Sequence, residues 1–258
     1  MQQYWTEGVP CSYGPGRNVS REKRTILIVD GSSTMVFYLG MLLKRLEYVV
    51  MSVRNGEDAL KTLERGLPSA VLTDVALPVM SGIELLKAIK NHEQYRHVPV
   101  IVQCADRDQA LKASCISMGC AAFLKKPVEP GDLYRTLQAA IESTPRHTIR
   151  LNTSLPVTVG DDSASGGVRR SEYASAISEG GLYIRTQYPQ PRNAITPIRI
   201  SLGGREISVR AEVLYSYVEN EGPYKEAGMG MKFVEISDND RLLIREFIKE
   251  QLTKDIGS

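Results

Sequence analysis

Val29-Asp30-Gly31 closes the first long apolar run of this chain, and three further runs close in the same way. Val71-Leu72-Thr73-Asp74 stops at a carboxylate. Val100-Ile101-Val102-Gln103-Cys104-Ala105 stops at an amide and a thiol, and Phe123-Leu124-Lys125-Lys126-Pro127 at a lysine. The stretches between carry helical spacing. Ser32-Ser33 caps a segment with Val36, Leu39, Leu42, Leu43 and Leu46, and Gly56 opens one with Ala59, Leu60 and Leu63. Ser81-Gly82 precedes Leu85, Leu86 and Ile89, while Pro130 starts a segment with Leu133, Leu137, Ala140 and Ile141. Strands alternating with amphipathic helices form a doubly wound parallel sheet, and ligands of such sheets sit outside the carboxyl ends of the strands. Five β–α repeats therefore fit between Thr25 and Glu142, with Asp30, Asp74, Cys104 and Lys126 expected on one edge.

Those strand ends give the segment a resemblance to the receiver domain of bacterial two-component response regulators, a flavodoxin-like (βα)5 fold. The resemblance implies that Asp74 is the phosphoacceptor and that Lys126 pairs with the phosphoryl oxygens, in a peptide Lys126-Pro127 often found cis. An aspartate nucleophile and an ammonium facing a largely dissociated phosphoryl group suit that chemistry. It also implies a magnesium ion held through Asp30, Asp74 and the Ala76 carbonyl. Three departures weaken the site. Gly31 stands where the family has a direct metal carboxylate, Cys104 replaces a hydroxyl by a poorer donor, and Phe123 occupies the aromatic switch position without a phenol. Magnesium at Asp30 and Asp74 is thus weak or lost, and a degenerate receiver, weakly or never phosphorylated, is favoured over a working one. Cys104 also reads as a small buried hydrophobe.

Composition accommodates two modest domains, since the 258 residues are 42% hydrophobic. Thirty-two Lys plus Arg against 30 Asp plus Glu leaves a formal +2, which argues against a protein that coats nucleic acid. Cys11, Cys104, Cys115 and Cys120 form no CxxC pair, so reduced thiols and a cytoplasmic location are expected. Residues 1–22 carry neither a signal peptide nor a membrane span and read as a flexible tail, with Tyr4, Trp5 and Tyr13 a candidate docking element.

After Glu142 the texture changes. Ser143-Thr144-Pro145 breaks the last helix, and short two-fold periodicities follow. Strands are predicted over Leu155 to Val159, Ala174 to Ile177, Gly181 to Thr186, Ile195 to Ser201, Ile207 to Tyr217 and Gly228 to Phe233. Turns are predicted at Gly160-Asp161-Asp162, Gly166-Gly167, Gly203-Gly204 and Glu221-Gly222-Pro223. A helix from about Asp238 closes the chain with Leu243, Phe247 and Ile248 on its apolar face. This is a small six-stranded antiparallel β-barrel with a C-terminal helical lid. Domain limits follow as 1–22, 23–143 and 144–258.

Arg146-His147-Thr148-Ile149-Arg150 before the first strand, Ser178-Glu179-Gly180-Gly181 in a turn, and Gly228-Met229-Gly230-Met231 give this half a resemblance to the PilZ domain. PilZ is the bacterial cyclic di-GMP receptor module, whose ligand motifs are RxxxR and [D/N]xSxxG. By that resemblance Arg146, Arg150, Ser178 and Gly181 bind cyclic di-GMP. Arginine forks match guanine edges and phosphate oxygens, a serine hydroxyl can donate to phosphate, and glycine permits close approach or positive φ. Ala176 stands where Asp or Asn would accept from a guanine, and Pro145 where many members carry another Arg. An unpaired buried donor costs about 1–3 kcal/mol.

The expected protein is a response-regulator-like signalling protein without catalytic turnover. It binds cyclic di-GMP and relays that signal, with input at Asp74, by domain reorientation. Its implied partners are a histidine kinase, a downstream protein and a second copy of the chain. No DNA partner is expected, because the second half offers strands where a helix-turn-helix needs two adjacent helices. The alternative is a docking module for motility, adhesion or secretion that has lost its small-molecule chemistry.

Overall fold

The computed structural model describes residues 23–105, 109–160, 169–219, 221 and 226–256. The expected tail with Cys11, most of the turns near Gly160 and Glu221, and the Gly166-Gly167 turn lie outside the described residues.

The first half is β1 (Thr25–Val29), α1 (Ser33–Arg45), β2 (Val49–Val53), α2 (Gly56–Arg65), β3 (Ala70–Asp74), α3 (Gly82–Asn91), β4 (Val100–Cys104), α4 (Gln109–Ser117), β5 (Ala122–Lys125) and α5 (Pro130–Ile141). The strands form one parallel sheet in the order β2-β1-β3-β4-β5. β1, β3 and β4 are buried on both faces, as near-continuous apolar runs require, whereas the edge strand β2 leaves Val49 and Met51 exposed. Alternate residues serve opposite layers. Ile26 and Ile28 pack with Leu39, Leu43 and Leu133 under α1 and α5, and Leu27 and Val29 with Leu63, Leu85 and Ile89 under α2 and α3. Side chains of Ser32, Asn55 and Ser81 cap α1, α2 and α3, the last in a full capping box with Glu84.

The second half is β6 (Leu151–Val159), β7 (Arg170–Ser178), β8 (Gly181–Arg185), β9 (Ile195–Leu202), β10 (Arg205–Tyr217), β11 (Gly228–Glu235) and α6 (Asp238–Thr253). The strands close an antiparallel barrel in the order β10-β11-β8-β7-β6-β9. Two expectations need correction. β6 and β7 each begin four residues earlier than the apolar alternation suggested, because Leu151 and Asn152 pair with Ile177 and Ala176, and Arg170 with Val159, through polar outward-facing stretches. The apolar face of α6 is Ile244, Ile248 and Leu252 at four-residue spacing, with Leu243 and Phe247 only partly buried beside it.

α6 is also more than a lid on the barrel, since it touches β7 on one side and α1 and α5 of the sheet domain on the other. Arg45 Nη1 donates to the Leu252 carbonyl at 2.9 Å and the Gln251 carbonyl at 3.3 Å, so a cation meets the last turn of α6, where carbonyls lack helical partners. Lys249 Nζ lies 2.6 Å from Glu129 Oε2, just before α5. Asn152 donates to Glu47 at 2.7 Å, which sets the first end of β6 against the sheet domain.

Candidate functional site

Parallel strands deliver their carboxyl ends to one edge, and the register aligns Val29 with Thr73, Asp74 with Gln103, and Cys104 with Lys125. Asp30, 1% exposed, sits just past β1. Lys126 Nζ lies 2.8 Å from Asp74 Oδ2 and 3.0 Å from Asp30 Oδ2, bridging the two carboxylates. Burial alone would depress the Lys126 ammonium, but hydrogen bonds to and the charges of Asp74 and Asp30 outweigh it and raise its pKa. The Ser32 backbone N–H donates to Asp30 Oδ1 at 2.9 Å, and Gln103 Nε2 donates to Asp30 Oδ2 at 3.4 Å. The amide oxygen of Gln103, Oε1, is buried and has no hydrogen-bond partner among the described residues. The peptide Lys126-Pro127 is cis.

Gly31 contributes no side chain to this edge. A Cβ built on it would lie 3.2 Å from Pro78 Cδ, while its carbonyl accepts from Arg54 Nη2 at 3.0 Å. Cys104 is buried, and Phe123 is partly buried against the core under α2 and α3. Cys115 and Cys120 are buried as well, and burial pushes their thiols up.

The second constellation lies at the end of the barrel that faces the sheet domain. Leu151 pairs with Ile177, so the antiparallel register brings Arg150 alongside Ser178. Arg146 and Arg150 are exposed, and neither guanidinium has a partner among the described residues. The linker carrying them is held to α5, where the Arg146 backbone N–H donates to Gln138 Oε1 at 3.1 Å. In the β7–β8 turn the Ser178 hydroxyl donates to the Gly181 carbonyl at 3.2 Å and accepts from the Gly180 N–H at 3.4 Å. Gly181 owes its place to close approach rather than to positive φ, because a Cβ there would run into the Met231 carbonyl of β11. Ala176 sits between Asn152 and Tyr183. The Tyr183 phenol is pushed up to about 12, first by burial and then by Tyr215, Tyr217 and Glu226.

Residues 26–138 match the response regulator receiver domain family, and residues 144–250 match the PilZ domain family. The chain is a receiver domain joined to a PilZ domain. The receiver is 33% identical over 111 residues to the two-component response regulator ORR7 of Oryza sativa subsp. japonica, covering 43% of this chain and 53% of that protein. The chain is 28% identical over 138 residues to histidine kinase P4 of Formosa agariphila, covering 54% of this chain and 10% of that protein. Among solved structures, the receiver domain of sensor histidine kinase PA1611 from Pseudomonas aeruginosa PAO1 is 31% identical, with a TM-score of 0.44, covering 47% of this chain and 99% of that one. The chain thus spans about half, or far less, of the curated relatives named here.

The receiver's donor set does not fit a divalent cation well. Magnesium needs a near-octahedral shell of oxygens; Gly31 supplies no carboxylate, and its carbonyl already accepts from Arg54. Both Asp30 oxygens and Asp74 Oδ2 already accept bonds from Ser32, Gln103 and Lys126. Among the described residues no three His, Cys, Asp or Glu side chains form a metal-holding group.

Three participants escaped the sequence reading. Gln103 was visible only as a polar residue in an apolar strand. Arg241 and Arg245 of α6 escaped because nothing in a terminal helix signals that it meets the PilZ turn. Arg241 Nη1 donates to the Glu179 carbonyl at 2.7 Å, and Arg245 Nε and Nη2 both donate to Glu179 Oε2, at 3.0 and 2.7 Å. A separate cavity of about 340 Å³, lined by Arg170, Glu172, Thr186 and Tyr188, opens at the far end of the barrel beside Val159, away from the linker arginines. No described helix is long and apolar enough to cross a membrane.

Proposed function

We propose that this response-regulator-like protein acts through its PilZ domain by binding cyclic di-GMP, with Arg146, Arg150, Ser178 and Gly181 as the contact residues. One observation carries the reading: Arg146 and Arg150 are exposed guanidiniums without partners among the described residues, and Arg150 runs beside the Ser178 turn. Unspent arginine forks next to a backbone-rich turn suit two phosphates and two guanine edges. The Ser178 hydroxyl donates inside its turn in the free protein, so its bond to a phosphate requires a rotation.

Lys126, Asp30 and Asp74 form the receiver's polar centre, with Asp74 the group that would accept a phosphoryl from a histidine kinase. The poor donor set for magnesium supports weak phosphorylation at most. The relay is reorientation: ligand on the linker shifts the barrel relative to the receiver, to which α6 and the Arg146 backbone connect it, and presents a changed surface to a downstream protein or a second copy. The setting is cytoplasmic and no catalytic turnover is involved. The docking-module reading is favoured by Ala176, which removes an acceptor, together with Gly31.

Calorimetric titration with cyclic di-GMP separates the two. Saturable binding in the micromolar range supports the receptor, and no heat at high micromolar ligand leaves the docking module. Acetyl phosphate with magnesium tests the receiver, where rapid stoichiometric labelling abolished by Asp74→Ala would overturn the degenerate reading.

A further inference from the structure

We infer that Arg241 and Arg245 of α6 form a second anion-binding arginine pair of the PilZ ligand site, occupied in the free protein by Glu179 as an internal competitor; the inference rests on the cyclic di-GMP reading above. Arg241-Leu242-Leu243-Ile244-Arg245 repeats the spacing of Arg146 to Arg150, but on a helix, where residues four apart share one face. Both side chains reach the same turn that carries Ser178 and Gly181.

Their present bonding is incomplete. Arg245 spends Nε and Nη2 on a single oxygen, Glu179 Oε2, where a fork prefers two acceptor oxygens side by side. Arg241 bonds only the neutral carbonyl of Glu179 and has no carboxylate partner among the described residues. Of Arg146, Arg150, Arg241 and Arg245, only Arg245 is paired with a carboxylate among the described residues. A phosphodiester brings two non-bridging oxygens sharing one negative charge, a side-by-side pair for the Arg245 fork and the charge that Arg241 lacks. Glu179 is then displaced. Because the other end of α6 is held by Glu129 and Arg45, a new hold on Arg241 and Arg245 pulls on a helix already seated against the receiver.

Opposite signs separate competition from a simple staple. If Glu179 competes, Glu179→Gln tightens cyclic di-GMP about tenfold, while Arg245→Ala loosens it about tenfold and Arg241→Ala by a similar factor, each the worth of one charge-assisted bond. Arg245→Ala also flattens the dependence of affinity on ionic strength. If the pair only staples the turn, Glu179→Gln and Arg245→Ala loosen binding alike, and that result overturns the inference. Calorimetry on the full chain, with thermal melting to confirm that each variant folds, reads all three. Binding by the unaltered protein without tightening in Glu179→Gln removes this inference alone. Absence of binding in both the unaltered protein and Glu179→Gln removes the cyclic di-GMP reading with it.

Discussion

At the carboxyl edge of the receiver sheet, Lys126 lies 18% exposed between Asp74 and Asp30, its charge spent on the protein's own carboxylates. At the receiver-facing end of the barrel, Arg146 and Arg150 stand exposed, and their guanidiniums have no internal partner among the described residues. The two clusters use the same chemistry, a cation near an oxygen-rich strand end, with opposite outcomes. A buried charge such as Asp30 must be paired, because leaving it alone costs several kcal/mol, so the half-buried Lys126 is tied up in the fold. A solvated guanidinium carries no such obligation and is available to a ligand. Charge at the receiver edge therefore contributes to stability, whereas on the proposed reading the unpaired charge of Arg146 and Arg150 serves recognition.

The largest effect expected from that contrast is on folding. Lys126→Ala strands the buried Asp30 carboxylate beside Asp74 and will lower the stability of the receiver by about 3 kcal/mol, read as a shift of its urea transition. The pH dependence has a definite sign. The folded pKa of Lys126 is raised above the ordinary 10.5, so its stabilising contribution is whole below that pH and fades as pH climbs through the raised value. The gap between the unaltered protein and Lys126→Ala will stay constant from neutral pH to about 10 and narrow above it. A gap that closes near neutrality would mean that the ammonium is not held by the two carboxylates.

On the recognition side, Arg150→Ala will weaken cyclic di-GMP binding by about 100-fold, two charge-assisted bonds at roughly 1.4 kcal/mol each, with unchanged melting of the free protein. A marked loss of stability in that variant would erase the contrast, since it would show Arg150 tied up in the fold in the way that Lys126 is. A smaller change sharpens it. Ala176→Asn restores an acceptor between Asn152 and Tyr183 and will tighten binding about tenfold while leaving the salt dependence nearly untouched, because the change is neutral. The matching repair in the receiver is sterically harder: Gly31→Asp puts a Cβ 3.2 Å from Pro78 Cδ, so labelling of Asp74 will improve more when Pro78→Ala accompanies it.

How much of this was legible in the sequence follows from the range of the forces involved. The strand ends at Asp30, Asp74, Cys104 and Lys126 are set by local period and by the rule that parallel strands share an edge, so their convergence could be read before any coordinates. The Arg146 to Arg150 and Ser178 to Gly181 motifs could be read only through the resemblance to the PilZ family, since neither period nor a shared strand edge singles them out. The seat of α6 between barrel and receiver could not, because Arg45 meets the Leu252 carbonyl and Lys249 meets Glu129 across long sequence separations that no period encodes. The early starts of β6 and β7 were hidden by polar residues that face outward from a barrel and break the alternation. The competition of Glu179 for Arg245 was hidden because the turn residue reads as an ordinary polar filler.

The smallest expected effect concerns that interdomain seat. Lys249 and Glu129 approach to 2.6 Å, but their side chains are 53% and 51% exposed, so solvent screens the pair and its net contribution is below about 1 kcal/mol. The apolar residues Ile244, Ile248 and Leu252, each at most 4% exposed, carry α6 instead. Lys249→Ala will therefore shift the melting temperature by no more than a few degrees, and raising the salt will reduce even that difference. Ile248→Ala, in contrast, opens a cavity in the buried seam and will cost about 2–5 kcal/mol. If Lys249→Ala proved as damaging as Ile248→Ala, the seat of α6 would be electrostatic, and an exposed charge in this protein would matter to the fold no less than the half-buried Lys126 does.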